Sequence, residues 1–210
     1  AVSAGQELFD RAAASGADLV LVHHGLFWKG EPRTLVGVRR RRVATLLESG
    51  LNLVAYHLPL DRHPELGNNA LAARRLGLTE LRPFGRYGGV EIGVRGRFEE
   101  PLPAAELVAR CKALVGQEPL ALGARGTVAS LAVVSGAAAD FLHEAAERGI
   151  DAFLTGEPRE WVKNLAEETG TLFLACGHYA TERLGVLALG ERLAERFGVE
   201  VEFVDLPNPV

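Results

Sequence analysis

Short apolar runs alternate with helical patterns along almost the whole chain, and this alternation narrows the fold more than any other feature. ADLVLV at 17–22, NLVAY at 52–56, LFLA at 172–175 and the segments 128–134, 152–154 and 200–204 read as strands. Helical periodicity fills 6–15, 38–48, 68–76, 104–114, 137–148 and 159–168, and a long helix is predicted over 181–197. Strands and helices in this order build βαβ units, hence an α/β fold with a largely parallel sheet covered by helices. The texture changes near 84–89. The stretch YGGVEIGVRGRF at 87–98 alternates only partly and is glycine-rich, which suits a strand with a bend or bulge. A boundary there gives a first α/β region at 1–84 and a second at 85–210.

Several other classes are excluded. No apolar run approaches the ~20 residues that a membrane-spanning helix needs. The 24 glycines and 10 prolines follow no fixed period, so the chain is not fibrous. A formal charge of -4 weighs against a duplex-binding domain, which more often carries a positive balance. Cys111 and Cys176 are too few for a disulfide framework, so a reducing, cytoplasmic setting is expected. Methionine is absent, the initiator included, so the start is expected to be either processed or truncated.

In an open α/β sheet, ligands gather beyond the carboxyl ends of the strands. The notable polar residues fall there. The first strand ends in His23-His24-Gly25, and the second in His57 with Asp61 four residues on. The strand at 152–154 ends in Thr155-Gly156-Glu157, and LFLA in Cys176-Gly177-His178 with Glu182 four residues on.

Each feature has a plain alternative. Neighbouring residues of a strand face opposite ways, but where the strand yields to a loop both histidines of the doublet can turn to one pocket, with Gly25 allowing the turn. His178 and Glu182 at i, i+4 share a helical face, yet a glutamate near a helix N-terminus is favoured by the dipole alone. Pro59 makes 57–61 a loop, and Asp61 there is either solvated or turned back over the strand end. Cys176 reads as an apolar end to a buried strand. The run Arg39 to Arg42 is a solvated face or an anion attractor. Trp28 and Phe27 either pack or stack on a heterocyclic substrate.

Together the features outweigh their alternatives. Imidazoles with ionised carboxylates suit Zn, Mn, Fe, Co or Ni. Six donors are too many for one tetrahedral ion and suit two, which can activate a shared water.

The segments GADLVLVHHGLFW (16–28), YHLPLD (56–61) with GNN (67–69), LTGEP (154–158) and GHYATE (177–182) resemble the Nif-three-like family, whose members are described as type 2 homologues of GTP cyclohydrolase I. The resemblance spans essentially the whole chain. It implies two similar α/β domains with mixed, largely parallel sheets, a ring-shaped homohexamer and a dinuclear metal site facing an internal cavity. The family's ligands fall on His23, His24, Asp61, His178 and Glu182, with His57 as a further ligand or a partner of one. The second region thus returns ligands to a shared site. Residues 1–5 look like the family's strand carrying a VDA-type sequence, so the helix and NGLQV-like segment that many members carry before it are expected to be missing. The family often has Asp where Ala180 or Glu157 stands, so neither is read as essential.

The expected function is a dinuclear-metal-dependent hydrolase using a metal-activated water, with two divalent ions and with His57 and Glu182 as catalytic residues. Its substrate is a small molecule, nucleotides among them. The resemblance points to opening of the GTP ring with loss of formate. The alternative is a non-catalytic metal-binding ring that docks a protein or ligand. Neither a membrane nor a nucleic acid is an expected partner.

Overall fold

In the computed structural model, which describes all residues except 33, 124 and 125, packing divides the chain into two units. One comprises Ala1–Leu60 and Val186–Pro207, the other Asp61–Gly185 and Asn208–Val210. The texture change near 84–89 is the turn of a hairpin within the second unit.

The first unit is built on two parallel strands, β1 (Leu19–Val22) and β2 (Asn52–Ala55), in register from Leu19 opposite Asn52 to Val22 opposite Ala55. Helix α1 (Gln6–Ser15) precedes them and α2 (Gly37–Ser49) is their crossover. Both helices stop as expected, at glycines with left-handed backbones, Gly16 and Gly50. Leu8, Phe9 and Ala12 of α1 pack with Val20, Val22, Leu26, Leu46 and Leu51. β1 is not buried throughout, as an unbroken apolar run implied. Val20 and Val22 face the core while Leu19 is exposed. The strand expected at 200–204 is instead irregular backbone. It is held by side chains, with Val204 and Leu206 against the core.

The second unit holds a six-stranded mixed sheet in the order β3-β4-β6-β7-β8-β5. Its strands are β3 (Thr79–Tyr87), β4 (Val90–Pro103), β5 (Leu120–Leu122), β6 (Thr127–Val133), β7 (Ala152–Thr155) and β8 (Leu172–Ala175). The central β6, β7 and β8 are parallel. Helices α6 (Leu142–Glu147) and α7 (Val162–Thr169) lie in their crossovers, as the alternation predicted. The flanks are antiparallel: β3 and β4 on one side, β5 on the other. The glycine-rich stretch is a tight turn at Gly88-Gly89 followed by a long strand with a register shift between Arg97 and Leu102. β3 and β5 went unpredicted. One carries a proline and charges through its length, and the other is three residues long.

Alternation across the pleat sorts the core into two faces. Leu131, Leu154 and Leu174 join Leu76 of α4 (Asn68–Leu76) with Leu107 and Cys111 of α5 (Ala104–Val115). Phe153 and Phe173 belong to the other face, 6.1 Å apart between centroids, with Phe84 6.2 Å from Phe153. Residues 57–61 correct the expected loop, since α3 (Leu58–Asp61) is one helical turn. Pro59 fits because the first turn of a helix needs no donor from it. The long C-terminal helix is two pieces, α8 (His178–Thr181) and α9 (Arg183–Phe197), broken at Glu182. Among the described residues no helix is long and apolar enough to cross a membrane.

Replacing the buried Phe173 with alanine removes a ring from the centre of the sheet and leaves a cavity. The expected loss is about 3–5 kcal/mol of unfolding free energy, read by urea denaturation. A loss under about 1 kcal/mol would mean that the sheet does not depend on this face.

Candidate metal centre

In the first unit the strand ends converge as the sequence implied. His23 and His24 follow β1, and His57 lies two residues past the end of β2. Parallel pairing puts these two ends on the same edge of the sheet. The three imidazoles cluster, with ring centroids 4.8 Å apart for His23 and His24, 5.0 Å for His23 and His57, and 5.3 Å for His24 and His57. Each offers a ring nitrogen within 4.8 Å of the others.

Backbone contacts fix two of the rings. The Val2 carbonyl accepts from the amides of both His23 (2.9 Å) and His24 (2.8 Å), through residues that form an isolated parallel bridge with the end of β1. The His23 Nδ1 donates to the Tyr56 carbonyl at 2.9 Å, which leaves the lone pair on Nε2. The His24 Nδ1 meets the Ser3 hydroxyl at 3.0 Å. Gly25 acts otherwise than its expected conformational freedom: its φ is not positive, and it supplies room. A Cβ there would stand 2.9 Å from the Cβ of Ala55.

The second unit assembles carboxylates around one more imidazole. β6, β7 and β8 end side by side, and the turns after them carry Ser135-Gly136, Gly156-Glu157 and Gly177-His178. The His178 Nδ1 is 2.5 Å from Glu157 Oε1, and its Nε2 is 3.0 Å from Glu182 Oε2. The i, i+4 pair therefore meets as expected, across a single helical turn. Burial pulls the His178 pKa down, but the Glu182 and Glu157 carboxylates outweigh it and raise it from 6.5 to about 9. Two carboxylates here demand a cation, and a proton or a metal ion can meet that demand. Gly136, in a left-handed conformation at φ 70°, lets the backbone approach this pair; any Cβ would collide with Glu182 Oε1.

Asp61 is buried, and its Oδ1 accepts from Asn68 Nδ2 (2.9 Å) and the Ser135 hydroxyl (3.1 Å). Asn68 also accepts the Gly185 amide at 2.6 Å, tying Asp61 to the first turn of α9. Asn69 completes the frame, donating to the Ile92 carbonyl (2.8 Å) and accepting the Ser135 amide (2.7 Å). Both asparagines have no exposed surface. Their supporting role was not drawn from the sequence, although GNN was visible there. Glu157, set aside for the family's variability, directly orients His178.

Other candidates resolve into structure. Cys176 lies in the core with Cys111, and contact with that thiol together with burial raises its pKa. Arg39 pairs with Glu31 at 2.7 Å and holds the carbonyls of Pro32 and Thr34, while Arg40 and Arg41 are exposed. His63 accepts the amides of Glu65 and Leu66.

The sequence matches the family described as Duf34/NIF3 (NGG1p interacting factor 3) over residues 1–209. The chain belongs to this family. Among Duf34/NIF3 relatives, a Pseudomonas aeruginosa protein named "GTP cyclohydrolase 1 type 2 homolog" is 44% identical over 99% of this chain and 82% of its own length. A protein of the same name from Escherichia coli K12 is also 44% identical, over 99% and 83%. The solved structure of protein ybgI, described as of unknown function, superposes with a TM-score of 0.93 at 43% identity, covering all of this chain and 83% of that one. TTHA1606 from Thermus thermophilus gives 0.87 at 40%, with the same coverage. The chain thus has the family's mixed α/β fold, with groups of His, Asp and Glu that can bind metal.

Asn68→Ala would strip Asp61 and the Gly185 amide of a buried partner each. Unfolding free energy should fall by about 2–4 kcal/mol, read by chemical denaturation of the metal-free chain. An unchanged midpoint would remove Asn68 from the frame.

Proposed function

We propose that the two donor sets, His23, His24 and His57 with Asp61, His178 and Glu182, together bind two divalent ions, and that the protein is a hydrolase of small molecules. The observation that carries this reading is the imidazole cluster, three rings at the ends of two parallel strands with nitrogens within 4.8 Å of one another. Neutral imidazoles with buried carboxylates suit Zn, Mn, Fe, Co or Ni. Bound ions of this kind would lower the pKa of a shared water and polarise a substrate oxygen or electrophilic centre.

The chain's own residues have definable parts. Glu157 holds Nδ1 of His178 and so aims Nε2. The Tyr56 carbonyl does the same for His23. Asn68 and Ser135 occupy Oδ1 of Asp61, which orients the carboxylate. Glu182 and His57 are the residues assigned to proton handling at the reacting water. The shared name of the relatives supports a nucleotide substrate, with GTP as the first to try: one water adds at C8 and opens the ring to a formamide, and a second water hydrolyses that formamide to release formate. Assembly as a cytoplasmic homohexamer is part of the same reading.

The test is metal per chain, by elemental analysis of wild type, His24→Ala and His178→Ala purified without chelator. About two ions per chain are expected, falling sharply in both variants. Near zero in wild type, even after reconstitution with Zn, Mn, Fe, Co or Ni, would overturn the centre. A metal-loaded chain should turn over GTP or another substrate of a hydrolase panel, and Glu182→Ala should abolish that turnover while leaving the assembly mass unchanged. Full metal with no turnover would favour a non-catalytic binding role.

A further inference from the structure

The turn after β8 carries His178, and its backbone is held group by group. The Cys176 and Gly177 amides donate to the Thr155 (2.8 Å) and Gly156 (2.9 Å) carbonyls, which carries the parallel pairing of β7 and β8 past their ends. The Gly177 carbonyl accepts the Thr181 hydroxyl at 2.9 Å, and that hydroxyl oxygen accepts the Gly136 amide at 3.1 Å. The Cys176 carbonyl is met differently, by a side chain from the segment that leads into β5.

β5 pairs antiparallel with β8, and Leu120 lies opposite Ala175. Pro119 comes next in that register, toward Cys176, and a proline has no N–H to donate. Gln117 supplies a donor instead, with its Nε2 at 3.2 Å from the Cys176 carbonyl. The same carboxamide lies against Gly177, where any Cβ would collide with it. Gly177 has φ 92°, in the region that favours glycine, so this peptide bends as the strand does not.

Gln117 is itself firmly placed. Helix α5 ends at Gly116, φ 79°, whose amide donates to the Lys112 carbonyl at 2.8 Å. Glu118 pairs with Lys112 at 2.6 Å, and Val115 and Pro119 on either side are buried. Ordering a long glutamine side chain costs rotamer entropy. Water could satisfy a carbonyl at the rim of the sheet, but it would not fix its direction. A carboxamide anchored through α5 does.

We propose that Gln117 is a positioning residue for the metal centre: by holding the Cys176 carbonyl it fixes the turn on which His178 stands, and so sets where that imidazole is presented. The inference rests on reading His178 and Glu182 as metal ligands. Gln117 touches neither an ion nor a substrate; it acts through the backbone of residues 176 and 177.

The experiment titrates zinc into the chelator-treated full chain, in competition with a chromophoric chelator, for wild type, Gln117→Ala and Gln117→Met. Methionine fills the space beside Gly177 but donates nothing. Both variants should raise the zinc Kd about ten- to a hundredfold, with the thermal midpoint of the metal-free chain close to that of wild type. A wild-type zinc Kd in Gln117→Ala overturns the proposal, and with a lowered midpoint it would make Gln117 a purely structural residue. A wild-type Kd in Gln117→Met alone also overturns it, because bulk against Gly177 and not the hydrogen bond would then set the turn. If wild type takes up no zinc, the metal centre falls, and the ring resonances of His178 in the metal-free chain, assigned by their loss in His178→Ala, decide for Gln117: displaced in Gln117→Ala they sustain its hold on His178, and unmoved they overturn it.

Discussion

Parallel strands joined through helices all end on the same edge of their sheet, because each crossover returns the chain to its starting side. The rest of the structure depends on this constraint. In the second unit it places the turns after β6, β7 and β8 next to each other, so Ser135, Glu157 and His178, which are far apart in sequence, become neighbours. In the first unit it does the same for His23, His24 and His57. The antiparallel strands β3, β4 and β5 contribute no donor to these clusters. They widen the sheet and cover its core.

The second constraint is electrostatic. Asp61 and Glu182 are both nearly fully buried, and an ionised carboxylate removed from water is costly unless hydrogen-bonded or paired. The chain answers with fixed donors. Asn68 and Ser135 serve Asp61, and His178 serves Glu182. These supports are backed by a second tier, since Asn69 and Thr181 hold the turn that carries Ser135 and Gly136. Such a frame keeps negative charge in place in readiness for a cation.

Much of this was legible in the sequence because it is written locally. An apolar run followed by His-His-Gly or Gly-His marks a strand end with a donor on it, and the i, i+4 spacing of His178 and Glu182 survived even though the expected long helix breaks at Glu182. What was not legible is either non-periodic or long-range. β3 hides behind Pro83 and its charges, and β5 is too short to show a pattern. Residues 200–204 have the composition of a strand yet take an irregular path, because composition alone does not fix a strand. Asn68 and Glu157 were visible as residues, but their partners, Gly185 and His178, are determined only by the fold.

The hydrogen bond from the Gly185 amide to Asn68 spans 117 positions of the chain. Closing so long a loop must be offset by contacts that form only once most of the sheet exists, so such pairings come late in folding. The pocket around Asp61 is therefore a product of completed folding rather than a seed for it. A nascent or partly unfolded chain would lack this arrangement of donors, and an ion that needs it would recognise the finished protein alone.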